Sequence, residues 1–360
     1  MSAPGIGKRT LLVQALLIIA FSTAHAETAS VSNGYYSLTL NKDHSVRVRA
    51  EKGGHFRCTP TFTIIATQAN PKMASRPAAI KHVNYNVVSW EVDPAQVPQD
   101  KLLNKTTAGA ALAGDGFDDS ILKGSTGNRT ADLFHAGKTT VVTATDAAIK
   151  GDSIQFLFGD NPAFTLTAAL TLSGARHEPV LAFRFQPNAG GYYSVGFTGM
   201  PEVSPPDFDE IWQPLIWQEK RFPETSFMTL AYRCTVPAAM VRAKEQCVAL
   251  VADPEELPFE PLPLMNNSRF GVAVRNAAGN AQPMIFAPAL GGQGSLMKAG
   301  DSFGFKMRLV STEGNCSDAY EVIARDIYGF TDYRHNAIAS VNETLDRKST
   351  RLNSSHDQIS

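Results

Sequence analysis

Over most of the chain, apolar and polar residues alternate in short runs. Phe164, Leu166, Ala168, Leu170 and Leu172 occupy every second position of FTLTAALTL, a period that puts one face of a strand on a core. Leu38, Leu40, Val46 and Val48 repeat the pattern around Asn41-Lys42-Asp43-His44, which predicts a β-hairpin. Further strands are predicted over 62–66, 83–92, 139–145, 153–158, 180–185 and 192–198, then over 227–234, 247–251, 270–274, 284–287 and 303–310. The separators carry turn chemistry, as in Gly151-Asp152, Gly159-Asp160-Asn161-Pro162 and Pro187-Asn188-Ala189-Gly190. Short strands in this succession predict a mainly β fold, a large antiparallel β-sandwich of the super-sandwich kind.

Three stretches depart from the pattern. Residues 94–129, rich in Ala, Gly, Thr and Asp, predict a long irregular excursion. Its Asp115, Asp118 and Asp119 could place oxygens around a calcium ion, but their spacing departs from the EF-hand loop and lacks its bidentate glutamate, so an Asp-Gly surface turn is the plainer reading. The second stretch, 192–221, holds Trp212 and Trp217 among many charges, and Pro205-Pro206 predicts an extended loop there. The third begins at Ser317. Asp318 with Glu321 three residues on reads as a capping box, and Tyr320, Ile323 and Ile327 fall at helical spacing behind it. Ile338, Val341 and Leu345 suggest a second helical stripe.

The two ends carry their own signals. Gly7-Lys8-Arg9, the apolar run 11–21 and Ala24-His25-Ala26 have the order of a signal peptide over residues 1–26. The apolar run is shorter than the about 20 residues that span a bilayer, so the expected location is periplasmic or secreted. At the other end, DRKSTRLNSSH (346–356) resembles the translation of a sequencing-library adapter, which marks 346–360 as a non-native tail. The expected organisation is a signal peptide to 26, a β-sandwich over 27–315, and the start of a truncated helical domain over 316–345.

Composition narrows the function. With 43% hydrophobic and 19% charged residues the chain is that of a packed globule, and a net charge of −1 without basic clusters argues against nucleic acid. Membrane-surface binding has no support either. No C-x-x-C, H-E-x-x-H, G-x-S-x-G or P-loop pattern occurs, so no metal, cofactor or catalytic serine is expected. Of the four cysteines, Cys234 and Cys247 would close a local disulfide loop, unless the thiols stay free and buried.

NGYYSLTL (33–40), the strand succession to Val310, and the switch into SDAYEVIARDIYGFTDYRHN (317–336) together cover most of the mature chain. In this order they resemble the N-terminal super-sandwich domain of secreted bacterial glycoside hydrolases and polysaccharide lyases that continue into an (α/α) toroid. The resemblance implies a sandwich supporting a helical domain that carries the catalytic carboxylates. Arg334 and Asn336, in DYRHN, suit a domain interface, and capping of the new helix is the plainer reading. It also implies a polysaccharide or oligosaccharide partner. No catalytic residue is assigned within this chain. The candidate substrate-binding residues are Trp212, Trp217, Glu210, Glu219 and Arg221, where aromatic faces and charges converge. The tryptophans equally suit packing at the sandwich edge. A free-standing carbohydrate-binding or interaction module is the alternative. A mutarotase-like sandwich enzyme is a weaker one, since no histidine and carboxylate pair up on adjacent strands.

Overall fold

The computed structural model describes residues 30–80, 83–98, 101–102, 130–172, 177–219, 222–223, 225–257 and 264–331. The signal segment, Asp115, Asp118, Asp119, Arg221, the second helical stripe, Arg334, Asn336 and the 346–360 tail lie outside these residues.

The fold is mainly β, built from antiparallel sheets, with a short helix at the C-terminal end. Nine strands form the largest sheet, and its middle is the long strand Phe303–Glu313. That strand pairs on one side with Val180–Pro187 and on the other with Gln246–Ala252. A seven-stranded sheet has Ala281–Ala287 and Gly191–Phe197 at its centre, with Thr61–Thr67 next to the latter. A four-stranded meander, Ser30–Ser32 to His55–Cys58, contributes to the same core. Strand Phe164–Thr171 shows the expected alternation, with Phe164, Leu166, Ala168 and Leu170 buried and Thr165 and Thr167 exposed. The main core gathers Leu38, Val48, Phe62, Phe183, Val195, Leu250 and Phe305 from these three of the four sheets among the described residues, the shared apolar interior of a sandwich.

Two expectations about local structure change. Residues 210–219 are not loop but a hairpin, Glu210–Gln213 with Ile216–Glu219, forming the edge of the nine-stranded sheet. Its strands are too short to show alternation. Pro214 and Leu215 make the turn, and Leu215 takes φ 74°, the conformation a type II turn requires after proline. The helix, α1, spans Cys316–Val322 and starts before the expected cap. Asn315 is the N-cap, its side chain accepting from the Asp318 amide while Asp318 accepts from the Asn315 amide. Glu321 instead pairs with Arg325, at 2.9 Å. A π-helical turn, Ile323–Ile327, continues α1.

Of the two cysteine alternatives, the structure has the free thiols and not the Cys234–Cys247 pair. Cys234 donates its thiol to the Leu230 carbonyl (3.3 Å), while the Cys247 sulfur lies 3.7 Å from that of Cys316. All four thiols are free.

Candidate functional site

The hairpin that holds the sequence-predicted residues is the seat of the helix. Register sets Trp212 opposite Trp217, and Glu210 between Glu219 and Arg242. Glu210 is buried, and its Oε2 accepts the Cys316 amide at 2.8 Å, an anionic acceptor at a helix start. The Trp212 ring is half-buried, 5.0 Å from the Tyr320 ring, in the cluster that holds Ile323 and Ile327. Replacing Glu210 by alanine removes a charge-assisted bond and is expected to cost about 1.5–3 kcal/mol, read by urea denaturation. Glu210→Gln keeps an acceptor and should lose less.

A different place combines concavity with exposed rings and underused polar atoms. Where the four-stranded meander, the nine-stranded sheet and α1 meet, a cleft of about 600 Å³ opens. Tyr35, Tyr36, His177, Glu178, Thr312 and Asp326 are among the residues lining it. Asn33 assembles the first four from distant parts of the chain. Its Oδ1 accepts the Tyr35 and Tyr36 amides (3.1 and 2.8 Å), and its Nδ2 donates to the His177 carbonyl at 2.9 Å. Held this way, Tyr35 stacks on His177 with centroids 3.6 Å apart and planes 18° from parallel. Both residues are exposed, so the stacked pair stands at the mouth.

The floor is rigid and polar. Arg308 donates to the Glu178 carbonyl (3.2 Å) and to Asp253 Oδ2 (2.7 Å). Ser311 donates its hydroxyl to the Gly53 carbonyl, and Gln246 Nε2 reaches both groups. Gly53 sits so close that a Cβ there would overlap the Ser311 carbonyl, so glycine is required by proximity. The Tyr36 oxygen accepts the Ser311 amide at 3.4 Å. Burial raises the Tyr36 phenol above its ordinary range, and the Glu178 charge adds to the rise although the Ser311 amide opposes it. The phenol therefore keeps its proton at neutral pH.

Two buried oxygens lining this cleft, Glu178 Oε2 and Thr312 Oγ1, have no hydrogen-bond partner among the described residues. A buried polar atom left unmatched costs free energy that a ligand donor recovers. Sequence spacing gave no hint of this place, because its walls come from within residues 35–52, 177–178, 311–312 and 322–326. The one local signal was a charged His177-Glu178 step between a turn and an apolar strand. His177 and Glu178 both line the cleft, as consecutive residues of one loop and not on adjacent strands.

Among the described residues no group of three or more His, Cys, Asp or Glu is placed to hold a metal ion, and no helix is long and apolar enough to cross a membrane.

No family model matches the chain, and none of the curated proteins matches it. Several solved structures are similar. A candidate aldose 1-epimerase from Escherichia coli K12 superposes with a TM-score of 0.33 at 10% identity, covering 79% of this chain and 98% of that one. A galactose 1-epimerase from Lactobacillus acidophilus NCFM gives 0.32 at 9%, covering 78% and 95%. A polysaccharide lyase gives 0.23 at 10%, covering 71% of this chain and 34% of its own. The sandwich assignment rests on the chain's own sheets and the core between them.

Proposed function

We propose that this chain is the sandwich part of an exported carbohydrate-active enzyme and that the cleft beside α1 binds a saccharide. The observation that carries the reading is the pair of unmatched buried oxygens, Glu178 Oε2 and Thr312 Oγ1, behind the exposed Tyr35–His177 stack. Sugars offer hydroxyl donors to a carboxylate and apolar ring faces to an aromatic, and binding clefts combine both features. Tyr36 brings a proton donor, while Lys52 and Asp326 bring charge to the rim. In this reading the helical region that opens at Cys316 supplies the catalytic carboxylates, and the sandwich holds the substrate against it. Trp217 and Glu219, on the edge strand Ile216–Glu219, would contact the more distant units of a long chain.

Calorimetric titration with a panel of neutral and acidic oligosaccharides tests it. Glu178→Gln and Tyr35→Ala are each expected to weaken binding about tenfold, the loss of one charge-assisted hydrogen bond or one stacking face. Wild-type affinity in both variants, or no binding to the folded wild type at millimolar ligand, would sink the reading.

A further inference from the structure

Cys247 and Cys316 meet where α1 lands on the nine-stranded sheet. Both are fully buried, and their sulfurs are 3.7 Å apart. They come from separate elements. Cys247 is in strand Gln246–Ala252, opposite Arg242 and Thr312. Cys316 is the first residue of α1, with its amide held by Glu210. The surroundings are apolar: Ala249, Val310, Ala319 and Ile323 share their cluster. A charged neighbour of the pair is Glu210, whose carboxylate faces Cys316.

We infer that Cys247 and Cys316 form a disulfide site that fastens the helix start to the sheet. A disulfide bond is about 2.05 Å long, so the sulfurs must close by about 1.7 Å from a contact they already make. Contact with Cys247, then burial, raises the Cys316 thiol well above its ordinary range, which makes it inert once packed. The bond therefore forms while the chain folds and the thiols are still open to solvent. The oxidant is a low-molecular-weight disulfide. One cysteine thiolate attacks a sulfur of it, forming a mixed disulfide and releasing one small thiol. The second cysteine thiolate displaces the other half, which leaves as a second thiol. Two electrons pass from the cysteine sulfurs to the oxidant, and the two protons end on the released thiols. Cys58 and Cys234 take no part. Cys58 is buried in the main core, where burial pushes its thiol up to about 12, and Cys234 donates to the Leu230 carbonyl.

The test is a disulfide map of the full chain folded in a mixture of reduced and oxidised glutathione. Free thiols are blocked with iodoacetamide before digestion without reductant. The expected map links the peptides of Cys247 and Cys316 and finds Cys58 and Cys234 alkylated. Reduction should then lower Tm by about 5 °C or more, as loss of a cross-link closing a long loop does. A Cys316→Ala chain should lose both the link and the redox dependence of Tm. The map is read on the unaltered chain, so it stands whether or not that variant folds. Four alkylated cysteines in natively folded protein, a link through Cys58 or Cys234, or folding only under reducing conditions would each overturn the assignment.

Discussion

Alanine at Arg308 is expected to lower stability by about 3–5 kcal/mol, because it leaves a buried carboxylate without its cation. The Asp253 side chain is only 2% exposed, and Arg308 Nε reaches it at 2.7 Å. Asp253 cannot turn to water, since its other oxygen accepts the Glu255 amide and caps the short turn Pro254–Glu256. Chemical denaturation at neutral pH measures the loss. Replacing both partners by apolar residues, Arg308→Met with Asp253→Leu, should recover a large part of it, because no charge is then stranded. The single substitution also removes the donor to the Glu178 carbonyl. If the cleft binds saccharide, Arg308→Ala weakens that binding as well, whereas a purely structural pair would lower Tm alone.

Phe62→Ala should do comparable damage at the opposite end of the physics, with no charge involved. Phe62 is fully buried on strand Thr61–Thr67 of the seven-stranded sheet. Its ring meets Phe158, Phe183 and Phe197 edge-on, with centroids 5.5, 5.4 and 5.2 Å away. Phe183 belongs to the nine-stranded sheet, so this ring joins the two layers. Truncation leaves a cavity between sheets that cannot collapse without shifting strands, at about 3–5 kcal/mol, and it forfeits the edge-to-face terms. Phe62→Leu, which keeps most of the volume, should lose clearly less. Equal losses for the two variants would show that the layers close over the gap.

The strands that alternate could be read in the sequence because the pleat imposes a period of two wherever one face is buried. Phe164–Thr171 and the Tyr36–Leu40/Val46–Ala50 hairpin are of this kind. Pairing partners could not be read. Phe303–Glu313 lies between strands that begin more than a hundred residues and more than fifty residues before it, and periodicity carries no information about such neighbours. The Glu210–Glu219 hairpin escaped because tryptophans and carboxylates at an edge look like a binding loop. Glu210 and Trp212 also receive α1, which no local rule foretells. The cleft was hidden for the same reason on a larger scale. Asn33 joins Tyr35 to His177 across more than a hundred residues of chain, and a hydrogen bond from one side chain leaves no repeat in the sequence.

The strand Phe303–Glu313 and α1 are one uninterrupted length of chain joined at the Asn315 cap. Ser311 and Thr312 on the strand side, and Val322 and Asp326 on the helix side, border the same cleft. Under the saccharide-binding proposal, occupancy of the cleft and docking of the helix share a free energy of coupling. A ligand that gains contacts from the docked helix must, by reciprocity, tighten that docking by the same factor. Whatever grips the helix from its outer face would, in turn, set the affinity inside.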